Sequence, residues 1–138
     1  MVRSSCLCGG VTWEIEGELR WMSHCHCSRC RKSHGSAFAT FVAGAPEGLR
    51  LHGAENIVRW QSSANLERPF CRRCGAKVPG SASDGMVFLA AGNLLDDPGL
   101  KALMHIFTAS QAPWYEIEDE LPRSDAYPTG FDAPTVED

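Results

Sequence analysis

Three cysteines lie close together in the stretch HCHCSRCRK, residues 24–32, and are accompanied there by two histidines and three basic residues. These cysteines are Cys25, Cys27 and Cys30. A structural zinc site takes four ligands and a disulfide takes two, so a set of three thiols matches neither. A metal with three protein ligands keeps one position for water or substrate, which is typical of a catalytic zinc. The stretch is therefore a candidate open metal site.

The other four cysteines form two pairs, Cys6 and Cys8 in a C-x-C-G motif and Cys71 and Cys74 in a C-x-x-C-G motif. A glycine after the second cysteine relieves the tight turn that brings two thiolates to one ion. Joining the two pairs gives a closed four-thiolate site and leaves the set of three intact. The seven cysteines then divide into four and three.

Other assignments of the C-x-x-C-G pair stay open. Cys71 and Cys74 could instead join Cys27 and Cys30, although the 40 residues between these pairs exceed the ~15 to 20 typical of a zinc ribbon. They could also be ordinary buried thiols or a redox pair.

The set of three could likewise be a structural site that a histidine completes, since sites of three cysteines and one histidine are common. The candidates are His24, His26 and His34. In an extended segment, the His26 side chain would point away from the neighbouring cysteines, which disfavours it.

The composition fits one globular domain spanning residues 1–138, with 43% hydrophobic and 22% charged residues. The net charge of −4 argues against a general polyanion binder. The N-terminus lacks the apolar segment of a signal peptide, and no window approaches the ~18 to 20 apolar residues of a membrane span. We expect a soluble, cytoplasmic protein whose clustered cysteines bind metal.

Period-2 alternation of apolar residues between glycine- and proline-rich turns predicts a mainly β, antiparallel domain. The predicted strands lie within 9–17, 19–25, 37–43, 56–62, 86–92 and 103–109. Short helical turns are predicted after Cys30 and within 96–102, and a proline-interrupted C-terminal tail from about residue 122. The predicted core is Trp13, Ile15, Phe38, Phe41, Val58, Trp60, Val87, Leu89 and Ile106.

Four segments together, CLCGGVTWEIEG, SHCHCSRCRKSHGSAF, ERPFCRRCGAKV and HIFTASQAPWYEI, resemble the glutathione-dependent formaldehyde-activating (GFA) family, also described as the CENP-V/GFA domain, over nearly the whole chain. The resemblance implies a zinc-stapled β-tent fold with two zinc ions per chain. It implies a structural zinc at Cys6, Cys8, Cys71 and Cys74, and a catalytic zinc at Cys25, Cys27 and Cys30.

The resemblance also implies a carbon-sulfur lyase that adds a zinc-bound thiol, glutathione or a similar one, to formaldehyde or another small aldehyde. An anionic three-thiolate zinc suits a soft thiol better than it suits activation of water. The predicted substrate contacts are Arg29, Arg31, Lys32 and Trp114. The three basic residues would attract a carboxylate-bearing thiol.

A neighbouring acid would have to protonate the oxygen that develops from the aldehyde carbonyl. The candidates for this acid are His26 and His34. His105 is expected to be an ordinary strand residue with a hydrogen-bonded ring.

Two other functions are compatible with these motifs. One is a non-catalytic, zinc-dependent module that binds nucleic acid or protein through a basic patch of Arg29, Arg31, Lys32, Arg72 and Arg73. The net negative charge of the chain disfavours this function, and so does the position of the aromatic residues, which lie in strand patterns and not among the basic residues. The other is a thiol oxidoreductase, which needs a free reactive cysteine that two filled metal sites would not leave.

Overall fold

The predicted β architecture is confirmed in a computed structural model, which describes residues 1–81 and 85–128. Over those residues the regular structure consists of short strands, one α-helix and four single turns of 3-10 helix. The strands are β1 Val2–Ser5, β2 Thr12–Ile15, β3 Leu19–Cys25, β4 Ala39–Gly44, β5 Leu49–His52, β6 Ile57–Val58, β7 Gln61–Ser63, β8 Leu66–Glu67, β9 Phe70–Cys71, β10 Gly80–Ser81, β11 Val87–Ala90 and β12 Ala102–Ile106. The helix, α1, is Ser28–His34.

The largest sheet has five strands in the order β10-β11-β4-β3-β12. Strand β3 pairs antiparallel with β4 and parallel with β12, so it is hydrogen-bonded on both sides. Its last residue, Cys25, lies opposite Ala39 of β4 and Ile106 of β12. The first cysteine of the set of three is thus held at the end of an interior strand.

A second sheet, in the order β1-β2-β5, packs its apolar face against the five-stranded sheet. Trp13 and Ile15 alternate along β2 and are 2% exposed, and they join Val42 of β4 and Leu89 of β11 in the main core. Cys6 and Cys71 are buried in the same core. One cysteine of each predicted pair is therefore anchored in the main core.

The short helix α1 confirms the predicted helical turn and begins before Cys30, at Ser28. Cys27 is its N-cap, and the sulfur of Cys27 accepts a hydrogen bond from the backbone N–H of Cys30 at 3.3 Å. The helix ends at Gly35, whose left-handed backbone (φ 62°) lets its N–H donate to the carbonyl of Arg31. Cys27 and Cys30 are three positions apart and therefore lie on one side of this turn.

Part of the predicted core differs from the observed one. Trp13, Ile15, Val87, Leu89 and Ile106 are buried, whereas Phe38, Phe41 and Val58 are only partly buried. Trp60 is 58% exposed, so its assignment to the core is wrong. It lies between β6 and β7, where the alternation of the predicted strand 56–62 is interrupted.

The second predicted helical turn, within 96–102, is not formed. The backbone N–H of Gly99 instead donates to the carboxylate of Asp97 at 2.8 Å, which closes a side-chain turn.

The segment after residue 121 lies along β12. The backbone N–H of His105 donates to the carbonyl of Pro122, and the N–H of Ser124 donates to the carbonyl of His105, both at 2.9 Å. Residues 129–138 of the predicted tail lie outside the described residues. No helix within residues 1–81 and 85–128 is long and apolar enough to cross a membrane.

Candidate metal centres

The two cysteine pairs converge on one point. The sulfur atoms of Cys6, Cys8, Cys71 and Cys74 lie within 4.8 Å of one another. Two of these separations, Cys6 to Cys8 at 3.7 Å and Cys8 to Cys71 at 3.8 Å, are close to the edge of about 3.8 Å that a zinc tetrahedron with Zn–S of about 2.3 Å requires. The cluster could hold a metal ion with four sulfur ligands.

Backbone N–H groups point at the sulfurs of this cluster. Val11 donates to the Cys6 sulfur at 3.2 Å, and Gly10 donates to the Cys8 sulfur at 3.4 Å. A backbone N–H of Ala76 lowers the pKa of Cys74 to about 6. These donors favour thiolates over thiols, as ligation of a cation requires.

The set of three cysteines forms a second cluster, in which the sulfurs of Cys25, Cys27 and Cys30 lie within 4.8 Å of one another and all three residues are buried. The end of β3 supplies Cys25, and the first turn of α1 positions the other two. The neighbouring thiols Cys27 and Cys30, followed by burial, raise the pKa of Cys25 far above its usual range. Three buried thiolates repel one another, so a cation between them would relieve the repulsion.

The three-cysteine cluster lines a pocket that is partly open to solvent. Its wall is largely apolar and aromatic, with Trp21, Phe41, Phe88, Phe107 and Tyr127 among the lining residues. Among the described residues, this wall includes none of the four-cysteine cluster. One cluster therefore offers the four sulfurs that a closed site requires, and the other offers three sulfurs on the wall of a pocket.

Two cations line the same pocket, Arg68 and Lys77. Arg68 is 9% exposed, and its Nη1 and Nη2 donate to the Cys30 sulfur at 3.7 and 3.8 Å. Its Nε donates to the Ser62 hydroxyl at 2.9 Å. Burial, followed by the charge of Arg68, lowers the pKa of Lys77. The sequence motifs predict neither cation as a substrate contact, although both flank the C-x-x-C-G motif. Arg68 lies three residues before Cys71, and Lys77 lies three residues after Cys74.

The predicted substrate contacts lie elsewhere. Arg29 donates to the backbone carbonyl of Ser62 at 2.7 Å, Lys32 is exposed, and Trp114 is 71% exposed. The buried Nε of Arg31 has no hydrogen-bond partner. Within the described part of the chain, the pocket wall includes none of these four residues.

No histidine of the described chain joins either sulfur cluster. His26 is fully buried and faces away from the cysteines on either side of it, as expected for an extended segment. Its Nε2 is hydrogen-bonded to Nδ1 of His105 at 2.7 Å, and Nε2 of His105 donates to Asp119 at 2.9 Å. Burial, followed by the charge of His105, lowers the pKa of His26 to about 4. The His26 ring therefore belongs to a hydrogen-bond network with His105 and Asp119 and is not part of the three-cysteine cluster.

His34 is the histidine that reaches the pocket. Burial, followed by the charge of Lys77, lowers the pKa of His34 to about 4, so the ring is neutral near pH 7. It can accept or donate a hydrogen bond there without carrying charge.

Comparison with known proteins adds three findings. The sequence profile of the family "Glutathione-dependent formaldehyde-activating enzyme" matches residues 1–110. An uncharacterized lyase of Schizosaccharomyces pombe is 31% identical over 74 residues, which cover 54% of this chain and 53% of the yeast protein. The chain thus spans about half the length of this curated relative.

The fold is also similar to the crystal structure of a Rhodobacter sphaeroides protein, with a TM-score of 0.59 at 25% identity. The similarity covers 70% of this chain and 92% of that one. Since the family profile spans well over half of the sequence and includes all seven cysteines of both clusters, the chain belongs to the glutathione-dependent formaldehyde-activating enzyme family.

Proposed function

We propose that this protein is a zinc-dependent carbon-sulfur lyase that adds glutathione, or a similar thiol, to formaldehyde or another small aldehyde. The observation that carries the proposal is the cluster of three buried cysteines on the wall of an otherwise mainly apolar pocket. Membership of the family and the description of the yeast relative as a lyase support this reaction class.

We assign zinc to both clusters because donor sets made only of cysteine sulfurs favour it. Cys6, Cys8, Cys71 and Cys74 would hold a structural zinc. The cluster of Cys25, Cys27 and Cys30 would hold a catalytic one with a position left for substrate. A zinc ion there would bind a thiol as its thiolate at neutral pH and so supply the nucleophile.

The proposed reaction balances without a redox partner. A bond forms between the thiol sulfur and the aldehyde carbon, the carbonyl double bond becomes a single bond, and the thiol proton ends on the new hydroxyl oxygen. The largely apolar wall would lower the polarity around the reacting atoms, and the reverse reaction would use the same groups. His34 is the histidine within the pocket that could hydrogen-bond this oxygen.

Charge in the pocket supports a thiol that carries a carboxylate, as glutathione does. Lys77 lines the pocket, where its ammonium group lies 5.7 Å from the centroid of the Phe70 ring and makes no ion pair within the described residues. Glu67 also lines the pocket, but it is paired with Arg59, so a substrate carboxylate could pair with Lys77. Four residues outside the pocket wall remain predicted substrate contacts: Arg29, Arg31, Lys32 and Trp114. The cytoplasmic location also remains a prediction.

The test must separate catalysis from the spontaneous combination of glutathione with formaldehyde. Exchange between free formaldehyde and S-(hydroxymethyl)glutathione can be followed by NMR with the zinc-loaded wild type and with Cys27→Ser. We expect faster exchange with the wild type alone. Exchange at the spontaneous rate with both proteins would show that this reaction is not the function.

A further inference from the structure

We propose that Arg68 is a positioning residue of the three-cysteine metal centre, fixing the Cys30 sulfur and offsetting the negative charge of the cluster. The inference rests on the metal-binding part of the proposed function and not on its substrate.

The first argument is the burial of the Arg68 charge. A guanidinium group is always ionised, and its burial costs free energy unless an anion and hydrogen-bond acceptors surround it. Within residues 1–81 and 85–128, no carboxylate forms an ion pair with Arg68. The adjacent carboxylate, Glu67, is paired with Arg59 instead. The acceptor that both Nη atoms of Arg68 share is the sulfur of Cys30.

The second argument is that the guanidinium group is held in this orientation from its other side. Its Nε donates to the hydroxyl of Ser62 at 2.9 Å, and the backbone carbonyl of Ser62 accepts from Arg29 at 2.7 Å. Arg29 lies in α1, between Cys27 and Cys30. A chain of contacts therefore runs from Arg29 of α1, through Ser62 of β7 and Arg68, back to the Cys30 sulfur of the same helix.

This chain gives Arg29 a role other than substrate attraction. By binding the Ser62 carbonyl, it ties α1 to the strand that orients Arg68. The contact uses Nη1 of Arg29, and the pocket wall over the described residues does not include this arginine.

The chemical consequence follows from the charge at the centre. Three thiolates and a divalent ion carry a net charge of −1, and an incoming thiolate makes the charge more negative. The two N–H donors of Arg68 hold one of the sulfurs in place, and the positive charge beside it offsets the repulsion among the three thiolates that the metal brings together. Arg68 should therefore strengthen binding of the metal to an otherwise electron-rich, buried ligand set and favour entry of an anionic fourth ligand.

The experiment uses Co²⁺ as the probe, in full-length protein whose four-cysteine site already holds zinc. Affinity for Co²⁺ is measured by competition with a chelator, and the sulfur-to-cobalt charge-transfer bands report the donor strength of the sulfurs. Loss of an outer-shell hydrogen bond to a metal ligand typically weakens metal binding by about 10- to 100-fold. We expect a loss of that size for Arg68→Gln with shifted charge-transfer bands, and a smaller loss for Arg68→Lys, which keeps the charge.

Two further variants complete the design. Arg59→Gln removes an exposed arginine of the same region, paired with Glu67, and should bind Co²⁺ like the wild type. Ser62→Ala removes only the acceptor of the Arg68 Nε and should give a loss smaller than that of Arg68→Gln.

Wild-type affinity and an unchanged spectrum in Arg68→Gln would overturn the proposal. So would equal weakening of both metal sites together with a lower melting temperature, because Arg68 would then support the fold and not the centre. Absence of catalysis in the wild type, with the Arg68 effect on Co²⁺ intact, would refute the proposed reaction and leave this inference standing.

Discussion

At the scale of single residues, Cys27 combines two tasks. Its sulfur belongs to the three-cysteine cluster and also caps the first turn of α1 by accepting the N–H of Cys30. N-caps are usually serine, threonine, aspartate or asparagine, since their oxygen atoms accept this bond. A thiolate can accept it as well, so ligand geometry and helix start are set by the same atom.

Lys77 is the residue for which we predict a change in substrate preference. Lys77→Met should raise the KM for glutathione by about 10-fold or more, because a charge-assisted hydrogen bond contributes about 1.5 to 3 kcal/mol. The KM for 2-mercaptoethanol, which has no carboxylate, should change little. Steady-state kinetics with the two thiols measures both effects.

A matched control is Lys101→Met, which removes an exposed lysine outside the pocket wall. It should leave both KM values unchanged. An equal rise of both KM values in Lys77→Met would mean that the lysine shapes the pocket and does not bind a carboxylate.

At the scale of elements, α1 matters because this seven-residue helix and its N-cap place Cys30 and Cys27 beside Cys25 at the end of β3. So short a helix is stabilised by its ends and by packing and hardly at all by intrinsic propensity. The cap at Cys27 and the left-handed Gly35 define those ends.

We expect Gly35→Ala to destabilise the fold by about 1 kcal/mol, because an L side chain is strained at this positive φ. An added Cβ at Gly35 would meet no atom within 4 Å, so no clash contributes to the effect. Gly92→Ala is the matched control, since it also meets nothing within 4 Å and its φ is not in the left-handed region. Thermal unfolding of the two variants should show a lower midpoint for Gly35→Ala alone; equal midpoints would contradict the role of Gly35 as helix terminator.

The elements also show what the sequence could predict and what it could not. Strands such as β2 are predictable because apolar residues alternate with polar ones along them, and the apolar residues, here Trp13 and Ile15, form the buried face. Strand β1, with the sequence VRSS, has too few apolar residues for such a pattern and owes its strand structure to pairing with β2. Trp60 has the type of a core residue but lies between two very short strands, where nothing covers it in the described part of the chain.

The site was predictable to a similar extent. The number of ligands that each kind of zinc site needs divides the seven cysteines into a set of four and a set of three. In the structure, the members of each set lie together in a cluster of their own. The cations of the pocket were not predicted, because closeness in sequence favoured Arg29, whereas Arg68 reaches Cys30 across 38 positions of the chain. A contact of that kind depends on tertiary structure, for which a single sequence holds no local signal.

At the scale of the whole molecule, the four-cysteine cluster joins the start of the chain to its middle, across the 63 positions that separate Cys8 from Cys71. It borders the main core, where Cys6 and Cys71 are buried with Trp13. A metal ion bound by these four cysteines would cross-link the short strands and contribute to the stability of the fold.

Loss of this cross-link should therefore unfold the protein, whereas loss of the open site should not. A structural zinc contributes apparent binding energy of about 10 to 16 kcal/mol, which exceeds the stability of most domains of this size. We expect Cys71→Ser to give a poorly folded, metal-free protein and Cys25→Ser to keep near-native circular dichroism. A natively folded Cys71→Ser protein with its full metal content would contradict the structural assignment.

The division of the cysteines into a closed and an open metal site is the central claim, and metal content measured by native mass spectrometry tests it most directly. Protein prepared under reducing conditions with added zinc is compared with Cys27→Ser, which removes one sulfur of the open site and retains an oxygen to cap α1. We predict two zinc ions per chain in the wild type and one in folded Cys27→Ser. One zinc ion in both proteins, or two in both, would contradict the assignment of Cys25, Cys27 and Cys30 as a second metal centre.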